Sequence, residues 1–311
     1  MKRCLYCYQP LEDNEIDFHS KCSKKIFGFS QPPSIPYTLK DIEGLALEVI
    51  RSQITLTGVQ PKISLNIEKK TSGAKRFTIV GVLGDYILKP QTSQYKSLPE
   101  NEDLTMHLAE IAKIKTVPHS LVRFEDGSLA YITKRIDRNK KSFKIAMEDM
   151  CQLTEKLTEY KYKGSYEQIA KKIIIHSANP VLDVIRFFDV VLFSFLIGNS
   201  DMHLKNFSLY NKSGKYELTP AYDLLSTKLV IPDDKEDLAL TLNSKKSNLK
   251  RKDFEDLLSK YVEAKTIENS FNKFRKAIPK WLKFIDKSFL STAEKQVYKT
   301  IIERNSKILE D

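Results

Sequence analysis

The sequence predicts an α+β fold with a strand-rich first half and a helical second half, and three observations carry this. Short runs with alternating or β-branched character occur at 63–67, 76–80, 85–89, 117–124 and 128–134, separated by Thr71-Ser72-Gly73, Gly81 to Gly84 and Glu125-Asp126-Gly127. From about residue 145 helical patterning takes over, at 146–157, 166–176 and 181–197, and again through the tail from 251 to 309. Within that second half, residues 182–197 are apolar almost all round, with a thin polar stripe at Asp183, Arg186 and Asp189. A helix of this kind is buried rather than laid on a surface.

The chain has 311 residues, enough to bury a large core in one two-lobed domain or two small ones. It has no apolar run of 18 residues, and Met1-Lys2-Arg3-Cys4 leads directly into polar sequence. A soluble cytoplasmic protein with no membrane partner is therefore expected. Four cysteines in such a chain argue for reduced thiols or a metal rather than a disulfide framework. The formal charge of +11 favours anionic partners, whether nucleotide, nucleic acid or an acidic protein surface. No RNA-binding aromatic motif or zinc-finger recognition helix narrows that choice.

Residues 1–30 contain Cys4-x2-Cys7 and His19-x2-Cys22, the two pairs separated by eleven residues. Two close pairs of soft or borderline ligands suit a tetrahedral structural Zn²⁺ site that would fold a segment too short to hold itself. The alternative is a set of buried thiols. Gln31-Pro32-Pro33-Ser34-Ile35-Pro36 reads as an extended linker. Farther on, Thr55-Leu56-Thr57-Gly58-Val59-Gln60-Pro61-Lys62 occupies the place of a glycine-rich phosphate loop with a single glycine. Thr57, Gly58, Val59 and Gln60 could offer backbone N–H groups to phosphates, and the Thr55 and Thr57 hydroxyls are themselves phosphate acceptors. Lys89 closes the strand Tyr86-Ile87-Leu88-Lys89, where a phosphate-binding lysine would sit. Glu102, on the helix beginning near Pro99, is its candidate ion-pair partner. A strand-end lysine can equally be solvated, and a glutamate near a helix start can be there for the dipole alone.

The most informative stretch follows the apolar helix. That helix ends at Gly198, and Asn199, Asp201, His203, Lys205 and Asn206 then leave a rigid support as a loop. Phe207 to Tyr210 and Lys215 to Thr219, joined by Asn211-Lys212-Ser213-Gly214, form a hairpin that would bring Asp223 to face Asn206 across one cation. An Asp with an Asn five positions later and a second, metal-holding Asp is the pattern of a kinase catalytic loop, because phosphoryl transfer is mostly positioning and charge neutralisation. Asp201 would be the proton acceptor, so His203 reads as a hydrogen-bonder holding the loop at the nucleotide site rather than as acid or base. Lys205 would neutralise the transferring phosphate or be solvated. Taken singly, each Asp and Asn could be ordinary turn chemistry.

Together these residues resemble the HipA family of bacterial toxin kinases. The resemblance rests on Thr57-Gly-Val-Gln-Pro-Lys62, Ile87-Leu-Lys-Pro90, Glu100-Asn-Glu102 with Met106, and Lys134-Arg-Ile-Asp-Arg138. It continues through Gly198-Asn-Ser-Asp-Met-His-Leu-Lys-Asn206 and Tyr222-Asp-Leu-Leu225, so it spans residue 50 or so to the C-terminus. The compact size is most similar to HipT, the short toxin of three-gene modules. The resemblance implies a two-lobed protein-kinase-like fold, a β-rich N-lobe at 31–135 and a helical C-lobe at 136–311, to which the small Cys/His element at 1–30 is added. It implies a serine/threonine kinase using ATP and Mg²⁺, acting on a protein such as an aminoacyl-tRNA synthetase, and partnered by antitoxins of HipB or HipS type that could link it indirectly to DNA. Carried over by motif, Asp201 would deprotonate the acceptor hydroxyl, and Asn206 and Asp223 would bind Mg²⁺. Lys89 would hold the ATP phosphates, and the backbone from Lys134 to Ile136 would meet the adenine. The Gly58 loop resembles the segment these kinases autophosphorylate, with Thr55 and Thr57 in place of the HipT-type serine pair. The Cys/His cluster departs from the family pattern and rests on ligand spacing alone. Two other readings share the residues: a catalytically silent kinase-fold binding module, and a small-molecule phosphotransferase, which the lysine-rich tail disfavours.

Overall fold

The computed structural model describes residues 2–44, 61–69, 73–80, 84–139 and 143–310. The chain forms two compact units. The first comprises Met1–Asp103, Val117–Phe143 and Lys287–Phe289; the second comprises Leu104–Thr116, Lys144–Asp286 and Leu290–Asp311.

The first unit is built on a five-stranded antiparallel sheet of β1 (Ile63–Lys69), β2 (Lys75–Val80), β3 (Tyr86–Pro90), β4 (His119–Arg123) and β5 (Leu129–Lys134). Its strand order is β2-β1-β3-β5-β4. Strand β3 is central, and its register sets Lys89 opposite Tyr131 and Leu88 opposite Ile132. Alternation is the burial pattern at the start of β1, where Ile63 and Leu65 enter the core, whereas β4 and β5 are buried at four successive positions. Helix α1 (Ser20–Phe27) stops at Gly28, whose φ of 84° makes the left-handed cap that glycine adopts without a Cβ clash. Phe27 packs edge-on against Phe77, which in turn meets Tyr86 edge-on, with centroids 5.6 and 5.5 Å apart. Residues 2–28 also cover the outer edge of the sheet. Leu121 N–H and the Ser120 hydroxyl donate to the Leu5 carbonyl at 3.4 and 3.3 Å, so strand β4 is not a bare edge. The chain passes from the first unit to the second within helix α2 (Leu98–Ile111).

The second unit is mostly helical: α3 (Tyr166–His176), α4 (Pro180–Leu196), α5 (Arg251–Leu258), α6 (Ala264–Asp286) and α7 (Thr292–Ser306). Proline at the first turn of α4 is favourable, since its missing N–H has no intrahelical partner there. Phe187, Phe188, Phe193 and Leu196 are fully buried, and Phe193 stacks edge-on to Trp281 of α6 at 5.4 Å. The two aspartates of the polar stripe read in the sequence are buried as well, and paired, while Arg186 between them is exposed. Asp183 accepts from the Ser177 hydroxyl at 2.6 Å and the Leu218 N–H at 2.9 Å, while Asp189 meets Lys273 at 2.6 Å. A small antiparallel sheet of β6 (Met147–Asp149), β7 (Ser208–Lys212) and β8 (Lys215–Leu218) stands beside these helices. The β7–β8 hairpin closes through Ser213 and Gly214, with φ of 54° and 84°, the two positive values a tight primed turn requires.

One expectation fails. The sequence reading places a helix over 146–157, whereas Met147–Asp149 pair with β7 and only Met150–Leu153 turn helically. Pairing with a strand 60 positions away takes the first residues, and Asp149 then caps the short helix with Gln152 in a reciprocal box. Among the described residues, no helix is long and apolar enough to cross a membrane.

Helix α4 ends at Leu196, and Gly198, with φ of 69°, turns the chain away from it. A Cβ there would lie 2.8 Å from Ile301 Cγ2 and 3.3 Å from Lys228 Cβ. Gly198→Ala should therefore destabilise the protein by about 1–3 kcal/mol through backbone strain and crowding together. An unchanged denaturation midpoint with an unchanged slope would show that neither constraint operates.

Candidate functional site

In the second unit, the loop after Gly198 is fixed from beneath before it presents any group outward. Asn199 is fully buried, and its Oδ1 accepts the Asp201 N–H at 3.0 Å. Ser200 donates its N–H to Thr227 Oγ1 at 2.8 Å and its hydroxyl to the Asp234 carboxylate. Asp201 is thus carried on a backbone with little freedom, and its Oδ1 accepts the Tyr162 hydroxyl at 2.5 Å. Burial and the neighbouring carboxylate push the Tyr162 hydroxyl well above its usual range, so it stays a donor.

His203 is buried, and its ring meets Tyr162 edge-on at 4.9 Å. Its N–H donates to Asn206 Oδ1 at 3.1 Å, which holds the two ends of the turn together. Burial pulls the His203 pKa down to about 4 against the opposing pull of the Asp201 and Asp223 carboxylates. The imidazole is therefore neutral near pH 7. Its Nδ1 has no hydrogen-bond partner among the described residues. Lys205 is half-exposed and sits 3.0 Å from Asp149. The Lys205 carbonyl accepts the Tyr222 hydroxyl at 3.0 Å. Next to Tyr222, Asp223 adopts φ of 55°, a left-handed conformation that Asp tolerates better than most side chains and that often marks a functional position.

In the first unit, Lys89 and Glu102 are both buried and lie 2.5 Å apart. Lys89 Nζ is also 5.4 Å from the centre of the Tyr131 ring. The neighbour of Glu102, Asp103, accepts the Tyr8 hydroxyl at 2.7 Å on one oxygen and lies 2.7 Å from His119 Nδ1 on the other. Of the Lys134 to Ile136 backbone, the N–H of Lys134 is taken by the Pro118 carbonyl at 2.9 Å and that of Arg135 by the Asp85 carbonyl at 2.8 Å. Cys4, Cys7, His19 and Cys22 come together elsewhere in the same unit. Thr55, Thr57, Gly58, Val59 and Gln60 lie outside the described residues.

The arrangement can do definite chemistry. The Asp201 carboxylate, oriented by Tyr162, can accept a proton. Asn206 and Asp223 offer hard oxygen donors of the kind Mg²⁺ prefers, and the bond from His203 N–H leaves a lone pair on Asn206 Oδ1 for a cation. A buried lysine fixed by a glutamate is a positioned positive charge suited to phosphate oxygens. Sequence reasoning anticipated the Lys89–Glu102 pair but missed Tyr162 and Asp149. Tyr162 lies 39 positions before Asp201, and no spacing rule joins them.

Residues 54–282 match the HipA-like C-terminal domain family. A candidate kinase of Haemophilus influenzae is 29% identical over 246 residues, covering 73% of this chain and 68% of that protein. A candidate kinase of Sinorhizobium fredii, Y4dM, is 34% identical over 190 residues, and the serine/threonine-protein kinase toxin HipA of Shewanella oneidensis is 26% identical over 212. The matched segments cover 56% and 62% of this chain, but only 45% and 47% of those two proteins. Among solved structures, a chain of the Shewanella oneidensis complex of HipA, HipB and operator DNA superposes with a TM-score of 0.69 at 20% identity, over 88% of this chain and 72% of that one. The Helicobacter pylori proinflammatory kinase CtkA superposes with 0.52 at 17% identity, over 72% of this chain and 88% of that one. At these identities the likeness is one of fold, and the fold is the two-lobed kinase-like one.

The Lys89–Glu102 pair yields a prediction independent of activity. Removing one charge of a buried, hydrogen-bonded pair costs about 3–5 kcal/mol. Glu102→Gln should lower stability by an amount in that range, read from chemical denaturation. A loss within about 0.5 kcal/mol, the ordinary range for surface substitutions, would mean that the pair is not buried in solution.

Proposed function

Because the chain belongs to the HipA-like family, we propose that it is an ATP- and Mg²⁺-dependent serine/threonine protein kinase, the toxin of a HipT-type toxin–antitoxin module. The observation that carries this reading is the Asp201 loop: a carboxylate held by Tyr162, Asn206 five residues on, and Asp223 close enough for its charge to act on His203. ATP would supply the phosphoryl group, and Mg²⁺ would neutralise its charge. Asp201 would take the proton of the acceptor hydroxyl as its oxygen bonds to the γ-phosphorus and the bond to ADP breaks. Asn206 and Asp223 would hold the metal. Neutral His203 would brace the loop rather than titrate. Lys89, pinned by Glu102, would hold phosphate oxygens, with the Thr57-Gly58-Val59-Gln60 backbone above them. The adenine would meet the 134–136 segment, where the bonds already made by Lys134 and Arg135 favour Ile136 as the donor. Lys205, paired with Asp149, would sit beside the acceptor rather than serve as an obligatory phosphate ligand.

The acceptor would be a protein of translation, such as an aminoacyl-tRNA synthetase, as the resemblance to the HipA toxin kinases implies. The solved complex of HipA with HipB and operator DNA supports an antitoxin partner of HipB type and an indirect association with DNA; a HipS-type partner and a cytoplasmic site of action would follow from the HipT-type reading. The net charge of +11 suits such anionic partners.

The test is mass spectrometry of cell lysate treated with the protein and isotopically heavy ATP. Wild type should place heavy phosphate on serine or threonine of a small set of proteins, and Asp201→Asn should reduce the rate on the order of 10²–10⁴ while keeping the fold. Activity of Asp201→Asn within about threefold of wild type would remove Asp201 from the role of base.

The same experiment addresses self-modification. Thr55 or Thr57 should carry phosphate in the active protein and not in Asp201→Asn expressed alone. A phosphate there adds about −1.5 to −2 charge near the nucleotide phosphates and should inhibit turnover. Unmodified threonines in active protein, or modified ones in the inactive variant, would exclude this regulation.

A further inference from the structure

We propose that Cys4, Cys7, His19 and Cys22 hold one Zn²⁺ in a closed tetrahedral site that fixes the N-terminal element to the sheet. These residues lie upstream of the segment that matches the family, so the kinase reading neither requires nor supplies the site. One ligand atom from each of the four side chains lies within 4.8 Å of all the others. Cys7 Sγ is 3.4 Å and Cys22 Sγ 3.7 Å from His19 Nδ1. With Zn–S near 2.3 Å and Zn–N near 2.0–2.1 Å, the sulfur-to-nitrogen edge of a zinc tetrahedron is roughly 3.5 Å. Both of those sulfur-to-nitrogen distances match that edge, and every other pair of ligand atoms lies within 4.8 Å.

The histidine settles which lone pair faces the sulfurs. His19 Nε2 is 3.0 Å from the Pro10 carbonyl, which can only accept, so Nε2 carries the proton. In the neutral ring Nδ1 is then the unprotonated nitrogen, and it points at the cysteines. An outer carbonyl that fixes the tautomer is the usual support of a metal-bound imidazole. Glu15, 3.7 Å from the same Nε2, reinforces it. All four cysteines of the chain are free of disulfides, and the fourth, Cys151, is in the other unit. Three sulfurs and one nitrogen are a soft set that suits zinc and repels Mg²⁺ or Ca²⁺.

The site also has something to hold. Residues 2–28 contain one eight-residue helix and one isolated bridge, Arg3 to Pro10, too little to be stable alone. Yet Tyr8, next to Cys7 and at φ of 61°, delivers its hydroxyl to Asp103, and Arg123 reaches Asp17 at 2.9 Å. Closing the metal tetrahedron would fix both contacts.

Elemental analysis of the full chain purified without chelator should find one equivalent of zinc. Co²⁺ exchanged into the site should give the intense visible bands of tetrahedral thiolate ligation. Cys151→Ser should retain the metal, and Cys7→Ser/Cys22→Ser should lose it. If the double variant does not fold, the wild-type content and the cobalt spectrum still decide. Zinc at background, iron in its place, or an octahedral cobalt spectrum would overturn the site. So would a wild-type melting temperature that a strong chelator leaves unmoved.

Discussion

Burial of α4 is the constraint on which the second unit depends. Each fully buried Phe contributes about 1.5–3 kcal/mol, and α4 supplies Phe187, Phe188 and Phe193 to one core. That gain allows Asp183 and Asp189 to be buried too, because each has charged or hydrogen-bonded partners rather than none. The pairings give the helix a single rotation about its axis. Asp183 ties it to β8 and Asp189 ties it to α6. With rotation and end fixed, the departure of the chain at Gly198 is fixed as well, and with it the direction in which Asp201 leaves.

The candidate functional groups are held by two kinds of contact. Around Asp201 the groups that hold the loop are mostly neutral: Asn199, Thr227, Tyr162 and the His203 backbone N–H bond to Asn206, with the Asp234 carboxylate reaching only Ser200. Such supports orient a carboxylate without cancelling its charge, as a proton acceptor requires. Around Lys89 the support is a full countercharge. A buried ammonium needs one, and a buried glutamate 2.5 Å away supplies it while keeping the cation in place.

Much of this was legible in the sequence, and the reasons are local. The strands of the first unit could be read because short apolar or β-branched runs stand between turn residues, with alternating burial at the start of β1 and near-continuous burial in β4 and β5. Helix α4 could be read because almost nothing else has its composition. Lys89 and Glu102 could be paired because they sit on successive elements, 13 positions apart. The failures share a cause: they involve partners distant in the chain. The strand at Met147–Asp149 exists because β7 pairs with it, and no feature of 146–157 records that neighbour. The Tyr162 contact to Asp201 is likewise a product of packing, although the Asp149-x2-Gln152 cap was visible as a box and could have shortened the expected helix. Lys205 was read as phosphate ligand or solvated cation, and its pairing with Asp149 depends on the same misread segment.

The central claim is that the Asp201 loop and Asp223 hold a metal–nucleotide complex. Calorimetric titration of the full chain with ATP, with and without Mg²⁺, tests it most directly, alongside Asp223→Ala. The account requires wild-type affinity to rise when Mg²⁺ is present and Asp223→Ala to lose that increment while keeping the metal-independent part. Binding that is absent altogether, or that is indifferent both to Mg²⁺ and to Asp223, would contradict it.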